Sequence, residues 1–292
     1  MGIKTLFSKL ALAWNDLQGQ WLMLKIRLFG SFCIHGGLNK TPRTPQVVVS
    51  LTSYGRRVNK VVPYVLVSLL RQTMKPDRIV LWLDDEHWND DNIPQSLKQL
   101  RECGIEIRFC ADLRSYKKLL PSLALCPEDV VITVDDDIYY SPYLVERMYE
   151  SYKKNPGNVH CIVAHEPLLD AEGHLLPYDD WRMDVKKSLT GRLYPVGCGG
   201  VLYPPKSLYK DVTDYEIAAR LAPAADDIWF WAMALVNGTG HRLVDYTGCT
   251  NYTLDSIYQY FHSDSALTHQ NVKEKRNDKQ LKAVCVHYHL FE

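Results

Sequence analysis

Val130-Val131-Ile132-Thr133-Val134-Asp135-Asp136-Asp137 is a β-branched apolar run that ends abruptly in three adjacent carboxylates. A run of this kind reads as a strand buried on both faces of a parallel α/β sheet. Three aspartates at its tip repel and raise one another's pKa unless a cation or strong donors sit among them. Ligands of open α/β sheets gather at the carboxyl ends of the strands. The stretch therefore predicts a divalent metal site, with Mg²⁺ or Mn²⁺ held by carboxylates and a phosphate-bearing substrate.

The flanking sequence repeats the pattern. Gln46 to Thr52 and Arg78 to Leu83 read as strands, the second capped by Asp84-Asp85-Glu86, with a helix from Val61 to Gln72 between them. Pro94 to Cys103 reads as a helix, Ile105 to Phe109 as a strand and Tyr116 to Leu123 as a helix. Strands separated by helices predict a mostly parallel sheet with right-handed crossovers. Beyond it come a helix from Pro142 to Lys154, a strand from Val159 to Ala164, and an irregular stretch from Glu166 to Leu193 of the kind that forms lids or binding loops. A glycine-rich turn, Gly197 to Gly200, then runs into a strand ending at Tyr203, and an apolar helix opens at Ala224-Ala225-Asp226-Asp227.

Lys+Arg and Asp+Glu both number 34 among 292 residues, which argues against a nucleic-acid partner, since counterion release needs clustered positive charge. The eight cysteines are scattered without a C-x-x-C pair, a pattern that predicts free thiols in a reducing, cytoplasmic setting.

Residues 1–45 form a separate unit, an amphipathic helix and a linker rich in Gly and Pro. Leu6, Leu10, Ala13, Leu17, Trp21, Leu24 and Leu28 recur at helical spacing, and Lys9, Asp16, Gln20 and Lys25 fall largely elsewhere. Two readings stay open: a helix that packs on the catalytic domain or a second subunit, or a basic amphipathic helix on an anionic membrane surface, with Trp14 and Trp21 at headgroup level. No window approaches a membrane span, and no signal-peptide pattern is present.

Several side chains stand where chemistry could use them. Asp226-Asp227 at a helix start reads either as capping acids or as a general base. Asp84 reads as a solvated turn or as an acceptor for a nucleobase or ribose. Thr52, Tyr54, Arg56 and Arg57 supply hydroxyl, aromatic and cationic groups after the first strand, and Lys117 and Lys118 could neutralise phosphate. Gly199 and Gly200 permit close backbone approach. His262 or His269 is a candidate to complete a metal shell, and Trp181 lies in the irregular stretch.

Val47 to Tyr54, Ser68-Leu69-Leu70-Arg71-Gln72-Thr73, Ile79 to Asp85 and Asp135-Asp136-Asp137 together resemble the nucleotide-binding half of GT-A fold glycosyltransferases, most of all bacterial family-2-type enzymes of surface polysaccharide synthesis. The resemblance covers about residues 46–250. It implies a GT-A, Rossmann-like catalytic domain over 46–292, with a nucleotide-sugar-binding half at 46–140, an acceptor-side half at 141–250 and a tail at 251–292. It assigns the D-x-D acids Asp135 and Asp137 to the metal and the diphosphate and Asp84 to base recognition; with the residues read above, the expected metal set is Asp135, Asp137 and His262, and the nucleotide-sugar set is Thr52, Tyr54, Arg56, Asp84, Lys117, Asp135 and Asp136. Gly199, Gly200 and Trp181 fall on the acceptor side. Asp227 becomes the base, beside Asp226. Asp84-Asp85-Glu86 replaces the family's Asp-Gly-Ser turn, Asp226 stands where Glu is usual, and the Q-x-x-R-W signature of processive synthases is absent.

The implied activity is a metal-dependent, inverting, non-processive transfer from a UDP- or GDP-sugar to a glycan or glycolipid hydroxyl, at the inner face of the cytoplasmic membrane. Two other classes fit clustered aspartates or abundant aromatics: a metal-dependent nucleotidyl- or phosphotransferase, without a P-loop motif, and a non-catalytic carbohydrate-binding protein. If strand alternation continues through the acids, Asp136 points away from Asp135 and Asp137.

Overall fold

The computed structural model describes residues 3–30, 32, 34–261 and 276–291. Its strands are β1 (Val47–Thr52), β2 (Arg78–Asp84), β3 (Glu106–Cys110), β4 (Val130–Thr133), β5 (Ile138–Tyr139), β6 (Asn158–Cys161), β7 (Ala164–His165), β8 (Tyr194–Pro195), β9 (Val201–Tyr203), β10 (Gly240–Leu243) and β11 (Tyr252–Thr253). Its helices are α1 (Ile3–Phe29), α2 (Arg57–Lys60), α3 (Val62–Leu70), α4 (Gln95–Glu102), α5 (Leu120–Leu125), α6 (Leu144–Lys154), α7 (Tyr215–Leu221), α8 (Asp226–Val236), α9 (Ser256–Phe261) and α10 (Arg276–Tyr288).

A seven-stranded sheet runs in the order β10-β6-β9-β4-β1-β2-β3. The β1–β2, β1–β4, β2–β3 and β6–β10 pairs are parallel, and β9 is antiparallel to β4 and β6. The architecture is the expected mostly parallel α/β sheet flanked by helices, and β6, β9 and β10 carry it past residue 140. Val47, Val48, Val49, Leu51, Val130, Val131 and Ile132 are all fully buried, which explains their apolar runs. Val47, Val49, Leu51 and Ile132 pack in one cluster with α3, α4 and α6, and Val131, Val159 and Tyr203 pack in another with α8 and α10.

One buried carboxylate gathers the two ends of the irregular stretch. Glu166 accepts hydrogen bonds from Ser188 Oγ at 2.6 Å, Leu189 N at 2.6 Å, and Thr190 N and Oγ1 at 2.7 and 2.9 Å, and it pairs with Arg182. Despite its burial, these donors hold Glu166 at about 2.

Two expectations need correction. Cys103 is disulfide-bonded, although Cys110, Cys126, Cys161, Cys198, Cys249 and Cys285 are free. Folding packs the linker on the end of α4, where Leu38 reaches Gly104, next to Cys103. The predicted apolar stripe of α1 is not the face that packs on the catalytic domain, where Ile26 joins the main core and Met23 packs against it. Asn15, Gln20 and Asp16 turn inward onto residues 251–256, and Trp14, Leu17, Trp21, Leu24 and Leu28 face outward. No described helix is long and apolar enough to cross a membrane.

Candidate active site

The acids converge at the carboxyl edge of β1, β2 and β4 around two cations. Tyr116 donates its hydroxyl to the Ala222 carbonyl at 2.6 Å, tying the Arg114–Lys118 turn to the segment that opens α8. That bond brings Lys118 to the helix start. Its ammonium lies 2.9 Å from Asp226 Oδ2, 3.3 Å from Asp135 Oδ1 and 3.9 Å from Asp227 Oδ1. Burial works against the ammonium, yet the three carboxylates keep its pKa well above the usual lysine value. Asp227 also accepts the Gly197 N–H at 3.0 Å. Burial, with Asp226 and Asp135 nearby, pushes Asp227 up to about 7 against the pull of Lys118 and this N–H.

Arg57 forms the second centre. It donates to Asp136 Oδ1 at 2.7 Å, pairs with Asp137 Oδ2 at 3.1 Å, and reaches Asp255 Oδ2 at 2.9 Å. Ser53 Oγ donates to the other Asp136 oxygen at 2.5 Å, and Gln259 of α9 donates to Asp137 at 2.8 Å. Burial and its acidic neighbours push Asp137 up to about 7, against Arg57 and Gln259.

This geometry places the expected residues unevenly. β4 ends at Thr133, so strand alternation stops before the acids. Asp136 and Asp137 consequently share Arg57, and Asp135 alone turns to Lys118. Asp136 is buried and bonded to Ser53 and Arg57, which makes it an anchor of the β1 loop. Lys117 pairs with Asp112, and Lys118 rather than Lys117 faces the acids. Asp84 accepts from His87 N at 2.9 Å and lies 2.5 Å from His87 Nδ1, so its own turn engages it. Thr52 bonds the Trp82 carbonyl, Arg56 pairs with Asp255, and Tyr54 is exposed.

The acceptor-side residues divide as well. Trp181 is buried, donates to the Leu176 carbonyl, and packs on Tyr178, Tyr194 and Trp231; this corrects the expectation of an acceptor-facing ring. Gly199 packs on Val163, and Gly200 takes a left-handed φ of 94° at the entry to β9. The glycine at the site is Gly197, where a Cβ would stand 2.9 Å from both Asp227 Oδ1 and Lys118 Nζ. Ala225 is the N-cap of α8, without a side-chain cap bond; Asp226 and Asp227 turn to Lys118 and Gly197 instead. His262 lies outside the described residues.

Among the described residues no group of three or more His, Cys, Asp and Glu side chains is arranged to hold a metal. Mg²⁺ and Mn²⁺ need less protein, one or two carboxylates with phosphate and water supplying the rest. Asp135 and Asp137, partly exposed at 31% and 21% of their side chains, are hard oxygen donors of that kind. An added cation would relieve the burial and acidic repulsion that raise Asp137.

A model of the family described as "Glycosyl transferase family 2" matches residues 49–197, half of the chain, from β1 through the acids to Gly197. The chain belongs to glycosyl transferase family 2. Among solved structures, this transferase is similar to S. aureus TarS 1-349, at 16% identity and a TM-score of 0.49, covering 84% of this chain and 71% of that one. TarS 1-349 in complex with UDP matches at 15% identity and 0.48, covering 84% and 72%. CMP:2-keto-3-deoxy-manno-octonic acid synthetase complexed with CTP matches at 11% identity and 0.41, covering 75% and 96%. At these values the likenesses bear on no residue's role. Among curated proteins none matches the sequence. Family membership makes the protein a glycosyltransferase and sets aside the phosphotransferase and non-catalytic readings.

Proposed function

We propose that the transferase moves a sugar from a UDP- or GDP-sugar to a hydroxyl of a glycan or glycolipid, with inversion and one sugar per encounter, in surface polysaccharide or glycolipid assembly at the inner face of the cytoplasmic membrane. The observation that carries this reading is Asp227, a half-buried carboxylate oriented by the Gly197 N–H and Lys118 and raised toward neutral pH by burial and its acidic neighbours. A base of that pKa is matched to removing a proton from an acceptor hydroxyl at neutral pH. Lys118 favours the ionised form of Asp227 against its acidic neighbours and spreads positive charge toward Asp135, on the side where a departing diphosphate gains charge. Arg57 fixes Asp136 and Asp137 so that their loop keeps one geometry. Asp135 and Asp137 would hold Mn²⁺ or Mg²⁺, which when bound supplies Lewis-acid stabilisation of the diphosphate.

The test pairs Asp137→Ala with Asp227→Asn, both expected to fold. Loss of a general base costs about 10²- to 10⁴-fold in turnover. Full transfer by Asp227→Asn removes the base assignment, full transfer by Asp137→Ala removes the metal assignment, and a retained anomeric configuration in the product removes inversion.

A further inference from the structure

From Trp14 to Leu28 the outward face of α1 is apolar. Trp14, Leu17, Trp21, Leu24 and Leu28 are 62, 57, 58, 44 and 61% exposed and follow one another at alternating three- and four-residue steps. They form a single stripe about 21 Å long at 1.5 Å per residue. The inward face shows why this stripe cannot turn to the core. Thr253 N donates to Asn15 Oδ1 at 2.9 Å, Gln20 donates to the Leu254 carbonyl at 2.8 Å, and Ser256 donates to Asp16 at 2.7 Å. Gly19 lies so close to the Thr253 carbonyl that a Cβ would stand 2.0 Å from its oxygen.

A cavity of about 440 Å³ opens beside the stripe, between α1 and the catalytic domain. Met23, Leu24, Phe32 and Tyr64 give it apolar walls, and Arg27 and Lys60 reach it as cations. Leu24 belongs to both stripe and cavity, so the two surfaces are continuous. Among the described residues neither Arg27 nor Lys60 forms an ion pair.

We infer that α1 docks on an anionic phospholipid surface, with its tryptophans at the headgroup boundary and the cavity taking a lipid phosphate between Arg27 and Lys60. Charge decides between this occupant and a second copy of the chain. The helix carries Lys4, Lys9, Lys25 and Arg27 against the single acid Asp16, which is turned inward. Two copies joined through α1 would set basic flanks against each other with no acid to pair them, whereas lipid phosphates complement them. The inference rests on the peripheral-membrane part of the reading above and not on the transfer chemistry.

Flotation of the full chain tests it, with vesicles of phosphatidylcholine alone or mixed with phosphatidylglycerol. The chain should float with the mixed vesicles and remain behind with phosphatidylcholine. Trp14→Ser with Trp21→Ser should lower partitioning at least tenfold. Arg27→Gln with Lys60→Gln should lower it about twenty-five-fold, from roughly fivefold per basic residue at an anionic surface. Among the described residues none of the four pairs with the acids of the site, so donor turnover without vesicles should match the wild type. Equal partitioning by wild type and the tryptophan variant, or equal binding to both vesicles, overturns the inference. A concentration-dependent dimer lost in the tryptophan variant, without vesicle binding, assigns the stripe to a second copy and also overturns it. Absent flotation with intact turnover sinks the docking face alone; absent turnover with intact flotation sinks the transfer reading alone.

Discussion

Replacing Lys118 with Met removes the one ammonium shared by Asp135, Asp226 and Asp227. At its separations of 2.9, 3.3 and 3.9 Å each attraction is worth roughly 4–6 kcal/mol gross, for an effective dielectric constant of about 20. Returning the ammonium to water recovers several kcal/mol of desolvation, and the partial exposure of Asp135 lets solvent screen part of the rest. What remains is the cost of carboxylates left without their cation, about 3–5 kcal/mol. Part of that loss can be relieved by proton uptake. Asp227, already raised to about 7, moves higher without Lys118, so the variant's deficit should widen as pH rises above neutrality and shrink below it. Urea denaturation in metal-free buffer at several pH values measures this, and donor consumption should fall at least tenfold. A deficit within about 0.5 kcal/mol of zero, flat with pH, would refute Lys118 as the centre of the acid cluster.

Gly197→Ala puts a methyl 2.9 Å from Asp227 Oδ1 and Lys118 Nζ, and should cost about 1–3 kcal/mol while cutting turnover more than tenfold; wild-type kinetics would show that the turn yields freely. His241 is buried, its Nε2 has no hydrogen-bond partner, and burial lowers its pKa to about 4. The unfolded chain therefore binds the extra proton between about 6.5 and 4, so stability should fall by about 3 kcal/mol as pH drops through that window, and His241→Leu should flatten the profile measured by thermal melts. Glu166→Ala strands the Leu189 and Thr190 amides and the Arg182 guanidinium, and should cost about 3 kcal/mol and expose residues 182–192 to limited proteolysis; an unchanged digestion pattern would show that the loop holds itself.

The sheet was legible because Val47–Leu51, Ile79–Leu83 and Val130–Val134 are buried on both faces and written as apolar runs interrupted only by Ser50 and Thr133. The acids at the strand tip were legible as charges that could not be left unpaired, but their partners were not. Lys117 and Lys118 are adjacent and both buried. Only the break at Leu119 between a tight turn and α5, and the Tyr116 bond to Ala222, decide that Lys118 faces the site. Arg57 lay in view, next to Arg56, with nothing local to rank the pair. Asp255 and Gln259 come from far along the chain, and no spacing rule links them to Asp136 or Asp137. Trp181 fell in a stretch without period, where an aromatic residue can equally line a ligand or fill the core. For α1, periodicity established two faces but could not say which one turned inward, because hydrogen bonds to the backbone of residues 251–254 leave no pattern in sequence.

Calorimetric titration of UDP- and GDP-sugars into the full chain, with and without Mn²⁺, tests the central claim most directly. The account predicts heat with at least one nucleotide sugar that requires the metal and is lost in a folded Asp135→Asn, Asp137→Asn double variant. Binding that is indifferent to Mn²⁺ and survives in the double variant would contradict it.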